Sequence, residues 1–194
     1  MERSLQTAYS SHQGFPENRQ EKILIRMVAR GQDMKPINID NMIDSIRNFE
    51  LTVALLYETF SRIFPPAQEK WLSFADEERI HAKWLAELKQ HHNNELISFN
   101  ETKITIHSIN VFIEFLQEQI DRARNDKLDL KEAILIALGI ENAILEKSLV
   151  KLFSFTSPKA IAVRMKLTRE TRIHREKLLL WLEVLENESQ SIRQ

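Results

Sequence analysis

The sequence predicts an all-α protein, a four-helix bundle with a helical crossover connection. Three observations predict it. Gly and Pro are scarce, at 3 and 5 in 194 residues, while 28% of residues are charged. Few turn-formers among many Leu, Ile, Glu, Lys and Arg favour long helices over strands and turns. Apolar residues recur at three- and four-residue spacing in five separate stretches. Two such stretches, a connection holding a third, then two more: that order belongs to a bundle with one crossover.

Residues 1–37 read as a polar N-terminal arm, with a possible short amphipathic helix at 21–30 through Ile23, Leu24, Met27 and Val28. The bundle domain spans 38–190. Its first helix starts near Asn38 or Asp40, either of which can cap it. It ends at Phe64, because Pro65-Pro66 cannot continue it. The second runs from those prolines to His92 on a stripe of Trp71, Phe74, Leu85 and Leu88. The third, 106–125, carries Ile109, Phe112, Leu116 and Ile120. The fourth, from Leu130 to Phe153, contains AILIALGI, apolar nearly all round. Thr156-Ser157-Pro158 reads as a cap followed by Pro in the first turn of the last helix, which runs to Glu186.

Composition excludes several chemistries. The chain has no cysteine, so thiolate nucleophiles, iron–sulfur clusters and Cys-bound zinc are out, and any metal must be held by oxygen and imidazole. A formal net charge of −1 offers no electrostatic case for nucleic acid or an anionic membrane. No apolar run approaches a membrane span. The N-terminus lacks the apolar core of a secretory signal, so a cytoplasmic protein is expected. No Gly-rich phosphate loop is present.

The informative residues are polar ones inside apolar stripes. Glu50 falls in the series Ile43, Ile46, Glu50, Val53, Tyr57. An unpaired buried carboxylate is costly, so it needs a partner, a proton or a metal. Glu78-Arg79-Ile80-His81 puts a carboxylate and an imidazole three residues apart on one helix face, which also holds Phe74, Leu85 and Leu88. That pair suits iron, manganese or zinc. Glu77 falls on the outer side of the stripe and reads as structural. Glu141 interrupts Ile134, Ala137 and Ile144, repeating the placement of Glu50. His174 sits among Leu167, Leu178, Trp181 and Leu185. Each half of the chain thus has a mid-helix Glu followed about 30 residues later by a Glu/His cluster, a pattern of internal duplication.

On these residues the chain, over roughly 38–186, resembles the rubrerythrin-like branch of the ferritin-like superfamily. The family pattern is Glu, Glu-x-x-His, Glu, Glu-x-x-His on four bundle helices. Glu50, Glu78, His81, Glu141 and His174 match five of the six ligand positions, and Tyr57 stands seven residues after Glu50, another family habit. The resemblance implies two iron ions bridged by carboxylates and reacting with dioxygen or hydrogen peroxide, with Tyr57 beside the ligands. Manganese suits the same donors. A homodimer through helix packing is expected.

Two departures matter. The sixth position is Thr171, where the family has a carboxylate, and Ile144 stands where rubrerythrins carry a further Glu. A Cys-rich rubredoxin part is also missing, so a strict rubrerythrin peroxidase does not fit. At about 100° per residue, Glu170 and Thr171 lie about 50° to either side of the apolar stripe. Glu170 is therefore the candidate sixth ligand. Two alternatives stand beside redox chemistry. One is iron oxidation and sequestration. The other is a metal-free bundle with a decayed site acting as an interaction module, its carboxylates neutralised by protons or by Arg172 and Arg175.

Overall fold

In the computed structural model of the chain, the described residues are 38–91, 97–99, 105–125, 128–147, 153–155 and 158–191. The polar arm, its short helix and the expected Thr156-Ser157 cap lie outside them.

Helix α1 spans Ile39–Ile63 and begins where the Asn38 side chain accepts hydrogen bonds from the Asp40 and Asn41 amides, at 2.9 and 3.3 Å. Pro65 and Pro66 end it and enter a 3₁₀ turn, Pro65–Ala67, that leads directly into α2, Gln68–His91. Helix α3, Ile106–Arg124, opens with a reciprocal cap between Thr105 and Ser108. Helix α4 is Leu130–Lys147, and its first turn is tied by the Glu132 amide donating to Asp129 Oδ1 at 2.7 Å. Helix α5, Pro158–Ser191, is the longest and runs past the expected end at Glu186.

Residue contacts give the helix directions. Asp44 meets Lys89, Glu50 meets His81 and Tyr57 meets Phe74, so α1 and α2 are antiparallel. Trp84 meets Lys166 and Trp71 meets Trp181, so α2 and α5 are antiparallel. Lys131 meets Glu186 and Asn142 meets Arg175, so α5 and α4 are antiparallel. The Tyr57 hydroxyl on α1 reaches Glu141 on α4 and closes the ring. Helix α3, in the connection between the two helix pairs, lies along α1, with Phe112 set edge-on to Phe49 at 6.1 Å. No helix among the described residues is long and apolar enough to cross a membrane.

The core follows the stripes. One end is filled by rings: Trp71 lies 5.5 Å from Tyr57, 4.9 Å from Phe60 and 4.9 Å from Trp181. The apolar run of α4 buries Ala133, Ile134, Ile136, Ala137, Leu138 and Ile140, so two of its faces are covered, as an all-round apolar helix requires.

Two details differ from the sequence expectation. The fourth helix does not reach Phe153. Phe153–Phe155 forms strand β2, antiparallel to β1, Ile97–Phe99, with Ser98 opposite Ser154. Three-residue strands carry too little alternation to register as a pattern, and their partners lie more than fifty residues apart in the chain.

Trp71 joins three helices and is fully buried. Trp71→Ala is expected to cost about 3–5 kcal/mol of stability, read as a lower urea midpoint with an unchanged slope.

Candidate metal centre

Five buried polar side chains meet at mid-bundle. Glu50 comes from α1, Glu78 and His81 from α2, Glu141 from α4 and His174 from α5, and each is at most 5% exposed. Each sits at a stripe position, so the same helical phase that buries the neighbouring Ile and Leu residues delivers these to the centre.

Among the described residues, two groups bring metal-ligating atoms within 4.8 Å of one another: Glu50, Glu78, His81, and Glu78, Glu141, His174. Glu78 belongs to both. Its Oε2 lies 2.8 Å from His81 Nδ1, and its Oε1 lies 2.9 Å from His174 Nδ1. Glu50 Oε2 is 4.0 Å from His81 Nδ1, and Glu141 Oε1 is 3.5 Å from His174 Nδ1. The two imidazoles stack with centroids 5.4 Å apart, both turning Nδ1 toward Glu78.

The polar groups outnumber their hydrogen bonds. Glu50 Oε2, Glu78 Oε1, Glu141 Oε2 and His174 Nδ1 are buried without a hydrogen-bond partner. His174 Nδ1 and Glu78 Oε1 are close but not aligned for a hydrogen bond, so they are paired by charge alone. Buried polar atoms are normally satisfied, and leaving several unsatisfied at one point costs about 1–3 kcal/mol each. Converging acceptor oxygens with two imidazole nitrogens form a donor set for a transition-metal ion. The residues fit such an ion, and the shared Glu78 makes the arrangement suitable for two.

Charge distribution follows from burial. Glu50 is held well above the ordinary carboxylate range, first by desolvation and then by the nearby Glu78 and Glu141 carboxylates. Glu141 is also raised, by burial first and by Glu78, although His174 and Tyr57 oppose this. Glu78 goes the other way: burial would raise it, but His174 and His81 hold it well below the usual range. His174 is pushed up to about 11 because Glu141 and Glu78 favour its imidazolium against the burial penalty. The Tyr57 phenol is raised by burial and by Glu141, to which it donates at 3.0 Å. In the metal-free chain, then, His174 carries a positive charge into the cluster. Arg172 is exposed, and Arg175 donates to Asn142 Oδ1 at 2.7 Å.

Glu77 has a larger part than its outer position suggested. Its Oε2 lies 2.5 Å from His174 Nε2, and Lys177 Nζ donates to both its oxygens at 3.0 and 3.1 Å. Burial would raise Glu77, yet Lys177 and His174 keep it lowered. With Nε2 tied to Glu77, His174 must present Nδ1 to Glu78 and Glu141. A carboxylate behind a ligand imidazole orients the ring and sets its basicity. Helical phase alone could not show this, because Glu77 points 100° away from Glu78 and its partner lies 97 residues on.

The last helix turns Thr171 inward instead of Glu170. Thr171 is 4% exposed, and its hydroxyl donates to the Leu167 carbonyl at 2.9 Å. Glu170 stands outside both groups, with its side chain 25% exposed and 3.9 Å from Arg169 Nε. On the other side of His174, the Phe74 ring meets it edge-on at 5.2 Å. Phe74 also lines a groove of about 430 Å³ between α2 and α5, together with Trp181 and Lys177.

No family model matches the chain, and neither a curated protein nor a solved structure matches it.

The shifts set the pH dependence of the metal-free protein. His174 binds its proton more tightly when folded, so its contribution is complete below the ordinary 6.5 and is lost as pH rises toward about 11. Glu50 is also raised, so its burial weakens the fold as pH climbs above the ordinary 4.5. Glu78 is lowered, and its contribution disappears as pH falls below 4.5. Glu50→Gln, neutral at every pH, should raise the stability of the metal-free protein at pH 7.5 by about 1–3 kcal/mol. The gain should vanish below pH 4, as measured by urea melts across pH. An equal gain at both pH values would contradict this assignment.

Proposed function

We propose that this chain is a metal-binding, ferritin-like protein of rubrerythrin type, holding two iron ions and carrying out redox chemistry with dioxygen or hydrogen peroxide. The observation that carries the reading is Glu78, one buried carboxylate shared by two ligand groups that each add a second carboxylate and an imidazole. Glu50, Glu78 and His81 would hold one ion, and Glu78, Glu141 and His174 the other. Bound iron would supply one-electron steps and open positions for an oxidant. Manganese suits the same donors.

The chain's own residues have definite parts. Glu77 holds His174 by Nε2 and so aims Nδ1 at Glu78 and Glu141, where it would meet an ion. Tyr57 donates to Glu141 Oε1, which limits how that carboxylate can swing. The ring cluster at Trp71 and the Phe74 edge keep water from one side of the centre. With His174 neutral, as a ligand would have to be, Glu77 and Lys177 would remain as a neutral pair behind it.

A metal-free reading also has an observation in its favour. Charged His174 among Glu77, Glu78 and Glu141 goes some way to balancing the cluster without any ion. Iron sequestration without turnover is the third possibility, and it requires a closed assembly. Metal analysis separates these readings. Protein expressed with iron is expected to carry close to two metal ions per chain and to consume peroxide or dioxygen with a change in its iron absorption. Metal near zero after mild purification and reloading would sink the proposal. His81→Ala should lower the content to one ion or fewer. Glu77→Ala should weaken the ion at His174 by about 10–100-fold while sparing the ion at His81, as seen by competition with a chelator.

A further inference from the structure

We infer that the position held by Thr171 is where this centre takes a small carboxylate from solution as a metal ligand. The inference rests on the two-metal reading and deepens it by naming a ligand class.

The two halves of the bundle supply the argument. Glu50 on α1 has its counterpart in Glu141 on α4, and Glu78-x-x-His81 on α2 has its counterpart in Thr171-x-x-His174 on α5. In the first half, the residue three before His is the carboxylate that serves both groups. In the second half, the equivalent residue is Thr171, one turn before His174 on the same face and equally buried. Its hydroxyl donates its proton to the Leu167 carbonyl, so Thr171 brings no charge to the centre and at most a neutral oxygen. Glu170 does not replace it: it belongs to neither ligand group, and its half-buried side chain lies 3.9 Å from Arg169 Nε.

Charge then decides. Two divalent ions bring four positive charges. Glu50, Glu78 and Glu141 bring three negative ones, and His81 and His174 are neutral when they ligate. Glu77 adds nothing, being cancelled by Lys177. One positive charge remains at a site where every ligand is at most 5% exposed. An uncompensated buried charge is strongly unfavourable, so an anion must accompany the second ion.

Shape favours a carboxylate. A Glu side chain ends in a two-oxygen group beyond Cγ, where Thr stops, so Thr171 falls short of its counterpart Glu78 by one carboxylate group. Five protein side chains also leave coordination positions on two ions, which commonly take four to six ligands each. A two-oxygen anion at this position can meet both needs.

The test uses the full chain with Mn(II) and acetate as probes. Mn(II) is titrated by calorimetry in chloride buffer at constant ionic strength, with and without acetate. Acetate is expected to tighten the second Mn(II) at least tenfold and saturably. ¹³C-acetate should show hyperfine coupling to the bound manganese. Thr171→Val keeps the shape and should retain the acetate effect. Thr171→Glu should bind both ions without acetate and ignore it. Glu170→Gln should behave as the parent. Two ions bound by the parent with no acetate response would overturn the inference, because hydroxide or the protein then completes the charge. Loss of the second ion in Glu170→Gln would overturn it in favour of Glu170. Failure to bind any Mn(II), with or without acetate, would instead remove the two-metal reading on which it rests. The parent and Thr171→Val carry the test even if Thr171→Glu does not fold.

Discussion

A single carboxylate, Glu78, sets the terms for the rest of this structure. It is 1% exposed and stays ionised only because two imidazoles, 2.8 and 2.9 Å away, turn a ring nitrogen toward it. One imidazole comes from its own helix, and the other comes from α5, almost a hundred residues on. The charge therefore cannot be buried unless α2 and α5 pack at one register. Glu141 and Glu50 then crowd the same point from α4 and α1. Desolvation and mutual repulsion push both toward the neutral form, while His174 is driven to hold its proton. A core built for stability alone would replace this cluster with Leu and Ile. Its presence amid an apolar bundle is the physical basis for reading it as a site.

The surroundings serve that register. Pro65-Pro66 turns the chain so that α1 and α2 lie antiparallel, with Glu50 level with His81. The rings of Tyr57, Phe60, Trp71 and Trp181 lock three helices at one end. Tyr57 then spends its hydroxyl on Glu141, so one side chain joins the ring cluster to the site. Glu77 and Lys177 form the outer layer, fixing which nitrogen of His174 faces inward. Stability and orientation come from the same contacts here, so loosening the aromatic end would also loosen the ligands.

Most of the fold was legible because helical burial is periodic. Stripes such as Ile43, Ile46, Val53 and Phe60 announce α1, and the capping residue and prolines mark its ends within a residue. The inward placement of Glu50, Glu78, His81, Glu141 and His174 was legible for the same reason: each replaces an apolar residue in phase. The strand pair was not, because three residues carry no usable period and the pairing is long-range. Phase also failed at α5. Glu170 and Thr171 lie at similar angles from the stripe, and only packing turned Thr171 inward and left Glu170 beside Arg169.

The sequence by itself thus determined which helices form, where α1 begins and ends, and which polar residues cannot avoid the core. These follow from local capping, proline geometry and a 3.6-residue period, all of which act within a few turns of chain. Only the tertiary structure decided which buried groups touch. That Glu78 is shared between two groups, that Glu77 stands behind His174, and that Thr171 faces inward all depend on the register and rotation of helices distant in sequence. Those are set by side-chain packing across the bundle, to which no single helix's pattern has access.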